Sequence, residues 1–151
     1  MSVQDEIKEL KQRISELEEQ VEEEQAFPKY NDFYWYTNAK GKILCNTWEG
    51  FKFEKDMLTI GNVYHTENEA VFALEKLKVE AELRKFSRPF KSFKPNFHIA
   101  LNDRKELIVD NWSTMCYQGA IYFESEEETE QAIQSVGEDR IKKYIFGVED
   151  L

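Results

Sequence analysis

The first 21 residues carry the pattern that most limits how this chain can fold. Between Val3 and Val21 the apolar residues are spaced alternately four and three apart, and all the remaining residues are polar or charged. Such a seam is narrower than the apolar stripe of a helix that packs on its own domain, so it favours pairing with a second helix. We therefore predict a coiled-coil helix over residues 1–26 that oligomerises through Val3, Ile7, Leu10, Ile14, Leu17 and Val21.

The residue types of this seam predict a parallel dimer. β-Branched residues occupy the a positions and leucine occupies two of the three d positions, a combination that favours two strands. In a parallel pair, Glu6 faces Lys11 of the second copy and Arg13 faces Glu18, and both pairs attract. Because about three heptads are few, the alternative is a solvated helix whose periodicity is accidental. Pro28 ends the helix in either case.

The rest of the chain contains two related segments. Phe33–Trp48 (FYWYTNAKGKILCNTW) aligns with Phe97–Trp112 (FHIALNDRKELIVDNW), with matching phenylalanine, asparagine and tryptophan positions. Each segment predicts a β-hairpin, because two apolar stretches flank a polar turn that begins at Asn38 or Asn102. The match predicts a duplicated unit, although chance similarity between two common hairpins is the alternative.

Each hairpin is followed by the same further signals. Gly61–Tyr64 and Gly119–Tyr122 predict a short third strand, and Thr66 and Ser125 each precede a glutamate by three residues, which is the capping box of a helix start. We therefore predict an α+β fold in which the coiled-coil helix precedes a duplicated β-hairpin/strand/helix (βββα) unit. The predicted domains are the oligomerisation helix, 1–26, and a globular domain, 27–151, with halves at about 31–88 and 95–151.

Composition limits the class and location of the protein. A chain of 151 residues with 14% aromatic residues and a net charge of −10 is too aromatic for an acidic disordered tail. It has no apolar run long enough for a membrane span and no secretory signal, so we expect a cytoplasmic protein that does not bind membranes. Cys45 and Cys116 lie far apart without metal-binding spacing, which argues against a zinc site or a disulfide framework.

No catalytic motif is present. The sequence lacks phosphate-binding, dinucleotide-binding, zinc-protease and nucleophile-elbow motifs. His65 and His98 lie in or beside predicted strands, where a histidine usually has a structural or surface role, and the many carboxylates are typical of a solvated surface. We therefore predict a protein that is not an enzyme and needs no cofactor. An enzyme whose site residues are scattered along the chain is the alternative.

One segment departs from the acidic composition. In RKFSRPFKSFK, basic residues alternate with phenylalanines, a pattern typical of surfaces that bind phosphates and stack bases. The alternative is a connecting segment whose phenylalanines are buried, which we favour because the overall charge repels a polyanion. We do not expect direct nucleic-acid binding, but the contacts of that second hypothesis are Arg84, Lys85, Arg88, Lys91 and Lys94.

The order of several motifs resembles a group of phage proteins. GNVYHTENEA and the closing GEDRIKKYIFGVE, together with WYTNAKGKI, resemble small accessory proteins that phages and prophages of Gram-positive bacteria encode. The resemblance covers nearly all of the chain after residue 30 and implies action in the bacterial cytoplasm, where small acidic phage products often bind host proteins. It assigns no site residue.

These observations predict a homodimeric acidic binding protein of phage origin that engages a host macromolecule, for example as an anti-defence inhibitor of the anti-CRISPR kind. Clustered carboxylates suit this role, because they can occupy the basic groove of a nucleic-acid-binding host protein. The candidate partner-binding residues are Glu80, Glu82, Glu126, Glu127, Trp48 and Trp112.

Overall fold

The structure is a computed structural model that describes all residues, 1–151, and it confirms the α+β class. The chain divides into two compact units, Met1–Ala70 and Val71–Leu151, with the boundary inside the third helix. The elements in chain order are α1 (Val3–Gln25), β1 (Phe33–Thr37), β2 (Ile43–Thr47), α2 (Lys52–Thr59), α3 (Glu67–Arg84), β3 (Asn96–Leu101), β4 (Leu107–Trp112), α4 (Glu126–Val136) and α5 (Glu138–Tyr144).

The predicted N-terminal helix is present as α1. Ser2 caps it, since its hydroxyl accepts a hydrogen bond from the Asp5 amide and the Asp5 carboxylate accepts one from the Ser2 amide. These two bonds satisfy amides that the first turn leaves free. No residue of α1 is buried. Packing within the chain therefore adds little to the stability of this helix, which depends on local interactions such as its cap.

Both predicted hairpins form, each as a two-stranded antiparallel sheet. In the first, Phe33 pairs with Thr47 and Thr37 with Ile43. In the second, the ladder is one pair longer, because Asn96 also pairs with Trp112.

The two hairpin turns have the same hydrogen bonds. The Asn38 side chain accepts bonds from the amides two and four residues later at 2.9 and 3.0 Å, and the Asn102 side chain does so at 3.0 and 2.8 Å. In each turn, the residue three positions after the asparagine has a left-handed backbone conformation, with φ of 72° at Gly41 and 59° at Lys105. An asparagine that bonds to the following backbone is a typical turn former, so the turn chemistry was predictable from the sequence. The hairpin duplication is confirmed in this detail.

The third strand of each unit is shorter than predicted. Tyr64 forms only an isolated bridge to Trp35, and Tyr122 forms one to Arg88. Phe123, one residue beyond the predicted strand, bridges to Phe97. The reason is that a helix begins three residues after each of the bridges at Tyr64 and Phe123. Before α3 the Thr66 cap has both bonds of the capping box.

Two local features differ from the predictions. Before α4 the Ser125 hydroxyl accepts from the Glu128 amide, but the return bond of the predicted capping box is missing. Helix α2 was not predicted at all. Its sequence, KFEKDMLT, is short and has no polar cap residue before it, since Phe51 occupies that position.

The two units have cores of different size. In Val71–Leu151 a buried cluster joins α3, the Phe123 bridge, α4 and α5, and its members are Val79, Leu83, Phe123, Ala132, Val136 and Ile141. In Met1–Ala70 the buried aromatic residues are Tyr34 and Trp48, whose rings meet edge to face at 5.6 Å. A fully buried carboxylate, Glu54, lies in the same unit.

Candidate functional site

The apolar seam of α1 is the most exposed regular apolar feature of the molecule. All six of its members lie on the surface, with exposed fractions from 45% at Leu17 to 71% at Val3. Single exposed aliphatic side chains are ordinary, but six in a regular row along one helix form a continuous apolar strip. None of these residues is buried, and their role in oligomerisation stays a prediction.

The same helix carries most of the excess negative charge. It has nine acidic and three basic residues, so it contributes −6 of the net −10. Beyond α1 the chain is nearly balanced. The excess acidity of the chain is therefore concentrated on one exposed rod, the helix α1, most densely in its C-terminal half.

The four candidate glutamates have different environments. Glu126 and Glu127 are exposed in the first turn of α4 and form no ion pair, which leaves them free for a partner. Glu82 instead accepts two hydrogen bonds from Arg140, at 2.9 and 3.0 Å. The Arg140 guanidinium lowers the pKa of the Glu82 carboxyl, so this side chain serves an internal ion pair.

Glu80 lies 3.7 Å from Arg84 and is half-buried. The two candidate tryptophans also differ, since Trp48 is only 7% exposed and belongs to the core, whereas Trp112 is 39% exposed. Only Trp112 is available to a partner, beside the Tyr117 ring at 6.2 Å.

The basic segment is organised around Arg88, whose side chain is 13% exposed. Its guanidinium donates to the side chains of Asn96 and Glu124 and to the carbonyls of Pro89 and Pro95. These bonds use the groups with which an arginine would hold a phosphate. Arg88 therefore holds the loop, as the structural alternative for this segment expects of its basic residues. The phenylalanines are not buried as that alternative states, since Phe86 and Phe90 are half-buried and Phe93 is 83% exposed.

Asn96 completes this loop. Its fully buried side chain donates to the carbonyls of Lys91, Lys94 and Trp112 and accepts from the Lys91 amide, all at 2.8 or 2.9 Å. Lys91 also lies 3.8 Å from Glu124. The basic side chains that remain exposed without such a role are those of Lys85 and Lys94, while Arg84 is exposed beside Glu80.

Sequence reasoning missed the buried carboxylate of Glu54. Its Oε1 accepts hydrogen bonds from the amides of Glu49 and Phe51, both at 3.0 Å, and so caps α2. Burial raises the pKa of the Glu54 carboxyl, but the hydrogen bonds that it accepts from these amides outweigh burial and lower the pKa overall. Its Oε2 and the Tyr34 hydroxyl are buried without a hydrogen-bond partner. Burial, with the Glu54 carboxylate beside it, raises the pKa of Tyr34. The sequence signal was the glutamate three residues after Phe51, at the position of a cap partner.

Sequence reasoning also missed an apolar cavity of about 400 Å³ within Val71–Leu151. Its lining comes from α3, β3, the Tyr117–Ile121 segment, the Phe123 bridge and the C-terminal region around α5. Because these residues are scattered over about 65 positions of sequence, no local pattern could have located the cavity.

Comparison of the chain with protein-family models, with curated proteins and with solved structures gave no match. None of the helices combines the length and the apolar composition needed to cross a bilayer. The structure contains no group of three or more His, Cys, Asp or Glu side chains arranged to hold a metal ion.

Proposed function

We propose that the protein is a homodimeric, non-enzymatic binding protein of phage origin that acts in the bacterial cytoplasm. Two α1 helices pair in parallel, and the dimer engages a host macromolecule as an anti-defence inhibitor of the anti-CRISPR kind. The observation that carries the proposal is the uncovered apolar seam of α1. Exposed apolar strips of this length mark interaction surfaces in soluble proteins.

The chemistry of the seam supports a second copy as its occupant. In a parallel pair the a and d residues meet their counterparts, and the two charge pairs, Glu6 with Lys11 and Arg13 with Glu18, cross between copies. Within one copy Arg13 already contacts Glu16 at 3.4 Å, an exposed pair that is easily exchanged. In an antiparallel pair centred on Arg13, the two Arg13 side chains repel each other, so the parallel arrangement is favoured.

Light scattering after size exclusion tests the dimer. We expect wild type at twice the mass of one chain, and the double variant Leu10→Asp with Leu17→Asp at the mass of one folded chain, because two charges then lie in the seam. The matched control is Gln12→Asp with Ser15→Asp, which adds two charges on the opposite face of the same helix and leaves the dimer intact. A monomeric wild type, or a dimer that survives the seam variant, contradicts the proposal.

The charge distribution supports a basic partner. Pairing two α1 helices doubles the negative rod to −12, and charged surfaces of this kind accelerate encounters with a complementary groove. The exposed Glu126 and Glu127 give a second acidic position on α4. We therefore propose a nucleic-acid-binding host protein as the partner, which affinity capture from a susceptible bacterium followed by mass spectrometry identifies.

Association rates with the captured partner test the steering role. Glu19→Lys with Glu23→Lys reverses outward charges on α1, and Glu126→Lys with Glu127→Lys reverses those on α4. Each pair should slow association and flatten its salt dependence, with little effect on dissociation. The corresponding Gln variants should give about half of each change in the logarithm of the rate. Unchanged rates in both pairs would mean that the acidity serves solubility alone.

Direct nucleic-acid binding is the second candidate function. Exposed Arg84, Lys85 and Lys94 favour it, but the engagement of Arg88 and the near neutrality beyond α1 weigh against it. We expect no change in fluorescence anisotropy of single- or double-stranded DNA at physiological salt. Tight binding that falls steeply with salt and is weakened by Lys85→Ala with Lys94→Ala would replace the first proposal with this one.

A further inference from the structure

The apolar cavity of Val71–Leu151 lies against the buried core of this unit. Core residues Leu83, Phe123 and Ile141 form part of its lining, and Ile99 and Ile121, which pack against that core, form more. The space of about 400 Å³ is partly open to solvent, so it is an apolar pocket at the surface and not a sealed interior void. Its size lies in the range of pockets that bind small organic molecules.

The lining selects the chemistry of an occupant. Apolar side chains dominate it, and water gains little there because an ordered water needs two to four polar partners. The one formally charged lining residue is Glu80, whose carboxylate opposes a second negative charge. His98, Tyr117 and Gln118 add polar side chains to the lining, so a ligand with one polar group can find a partner there.

The segment Tyr117–Ile121 offers a route of entry. It lines this cavity and also a second surface pocket beside Arg84 and Phe90, so the segment has open space on two sides. Few bonds hold it: the Tyr117 amide donates to the Tyr122 hydroxyl at 2.7 Å, and the Ala120 amide donates to the Tyr117 carbonyl at 3.3 Å. A segment with so few contacts can open at low cost in free energy.

We propose that Val71–Leu151 binds one small, largely apolar molecule without negative charge in this cavity. The ligand enters beneath the Tyr117–Ile121 segment, and its apolar part packs against the half-buried lining residues Ile99, Leu101 and Ile121. This activity is independent of the coiled coil and of the acidic rod.

Two dyes that differ by one charge test the proposal. N-phenyl-1-naphthylamine is neutral and apolar, and 1-anilinonaphthalene-8-sulfonate is the same molecule with a sulfonate. We expect saturable binding of the neutral dye at one site per chain and at least roughly tenfold weaker binding of the sulfonate. Glu80→Gln should strengthen sulfonate binding and leave the neutral dye unchanged. Equal affinity for the two dyes, or no saturable binding of the neutral one, overturns the proposal.

Variants locate the site. Ile99→Trp with Ile121→Trp fills part of the cavity and should weaken the neutral dye by roughly tenfold. The matched control is Leu77→Trp on the exposed side of α3, outside the cavity lining, which should leave affinity within about twofold. Unchanged binding in a folded double variant contradicts the proposed site.

Amide chemical shifts of the wild type give an answer that needs no variant to fold. Titration with the neutral dye should shift the resonances of Ile99, Phe123 and Ile141. Shifts confined to α1 would assign the dye to the exposed seam and overturn the proposal. The Leu10→Asp with Leu17→Asp monomer should bind the dye as wild type does, so failure of the dimer proposal and failure of this one are distinguishable.

Discussion

The two hairpins of this chain have the same turn but different supports. Both use an asparagine, Asn38 or Asn102, to bond the backbone of its own loop, and both end at a tryptophan. Their surroundings are unlike. After the first hairpin a buried carboxylate, Glu54, caps α2, whereas the second hairpin is joined to its preceding loop by the buried amide of Asn96. A duplicated segment can therefore keep its local chemistry while each copy acquires its own long-range contacts.

The strand edges repeat this pattern of local similarity. Asn46 and Asp110 occupy equivalent positions, and each side chain accepts a hydrogen bond from the next amide in its strand, at 2.9 and 2.8 Å. The apolar environments differ, because the second unit has a buried cluster of six residues, whereas the buried apolar residues of the first are Tyr34, Trp48 and Ala70. Each unit nevertheless buries polar side chains beside its apolar core, Glu54 in the first and Asn96 and Thr129 in the second.

Removal of the Asn96 side chain should have the largest effect on stability. Asn96→Ala removes the side-chain hydrogen bonds to three carbonyls, the Lys91 amide and an Arg88 N–H, so we expect a loss of about 3 kcal/mol in the free energy of unfolding. Urea denaturation measures it. Asn111→Ala, an exposed change in the same hairpin, is the control and should cost less than about 0.5 kcal/mol. Equal effects would mean that the loop network does not support the second hairpin.

Neutralising Glu54 should have a smaller effect that depends on pH. Glu54→Gln keeps the shape but loses the charge-assisted bonds, so we expect a loss of about 1.5 kcal/mol at pH 7. The pKa of Glu54 is lower in the folded chain than its ordinary value of 4.5, so the carboxylate stabilises the fold above that pH. As pH falls below 4.5 through the lower folded pKa, this stabilisation is lost and the gap between wild type and variant should close.

Urea denaturation between pH 7 and pH 3 measures this gap, with exposed Glu49→Gln as the control. A gap that stays constant with pH would show that the shape of Glu54, and not its charge, supports the first hairpin.

Exchanging the left-handed turn residues should give the smallest change. Gly41→Lys places a side chain at a φ of 72° and should cost about 1 kcal/mol, whereas Lys105→Gly should gain roughly 0.5 kcal/mol by relieving the same strain at 59°. Thermal denaturation measures both. The neighbouring changes Lys40→Gly and Arg104→Gly, at ordinary φ, should give no gain. If Lys105→Gly also destabilises, the two turns are not equivalent in energy.

Much of the fold arose from local sequence signals. The helix α1, both hairpins, the Thr66 capping box and the start of α4 depend on residues a few positions apart, so their spacing sufficed to predict them. Helix α2 escaped prediction because its cap is the side chain of Glu54, which had no recognised partner in the sequence. The same reasoning placed Trp48 and Glu82 among candidate binding residues, yet one is buried and the other is paired with Arg140.

The sequence by itself determined the period of the α1 seam, the two asparagine turns and the helix caps, because each arises from the geometry of neighbouring residues. Only the tertiary structure decided which charged side chains are engaged in internal hydrogen bonds or ion pairs and which are exposed without them. Arg88 meets Asn96 eight residues away and Glu82 meets Arg140 at a separation of 58, and such contacts depend on how the elements pack. The apolar cavity is decided in the same way, since its volume is what remains after helices and strands from distant segments have packed.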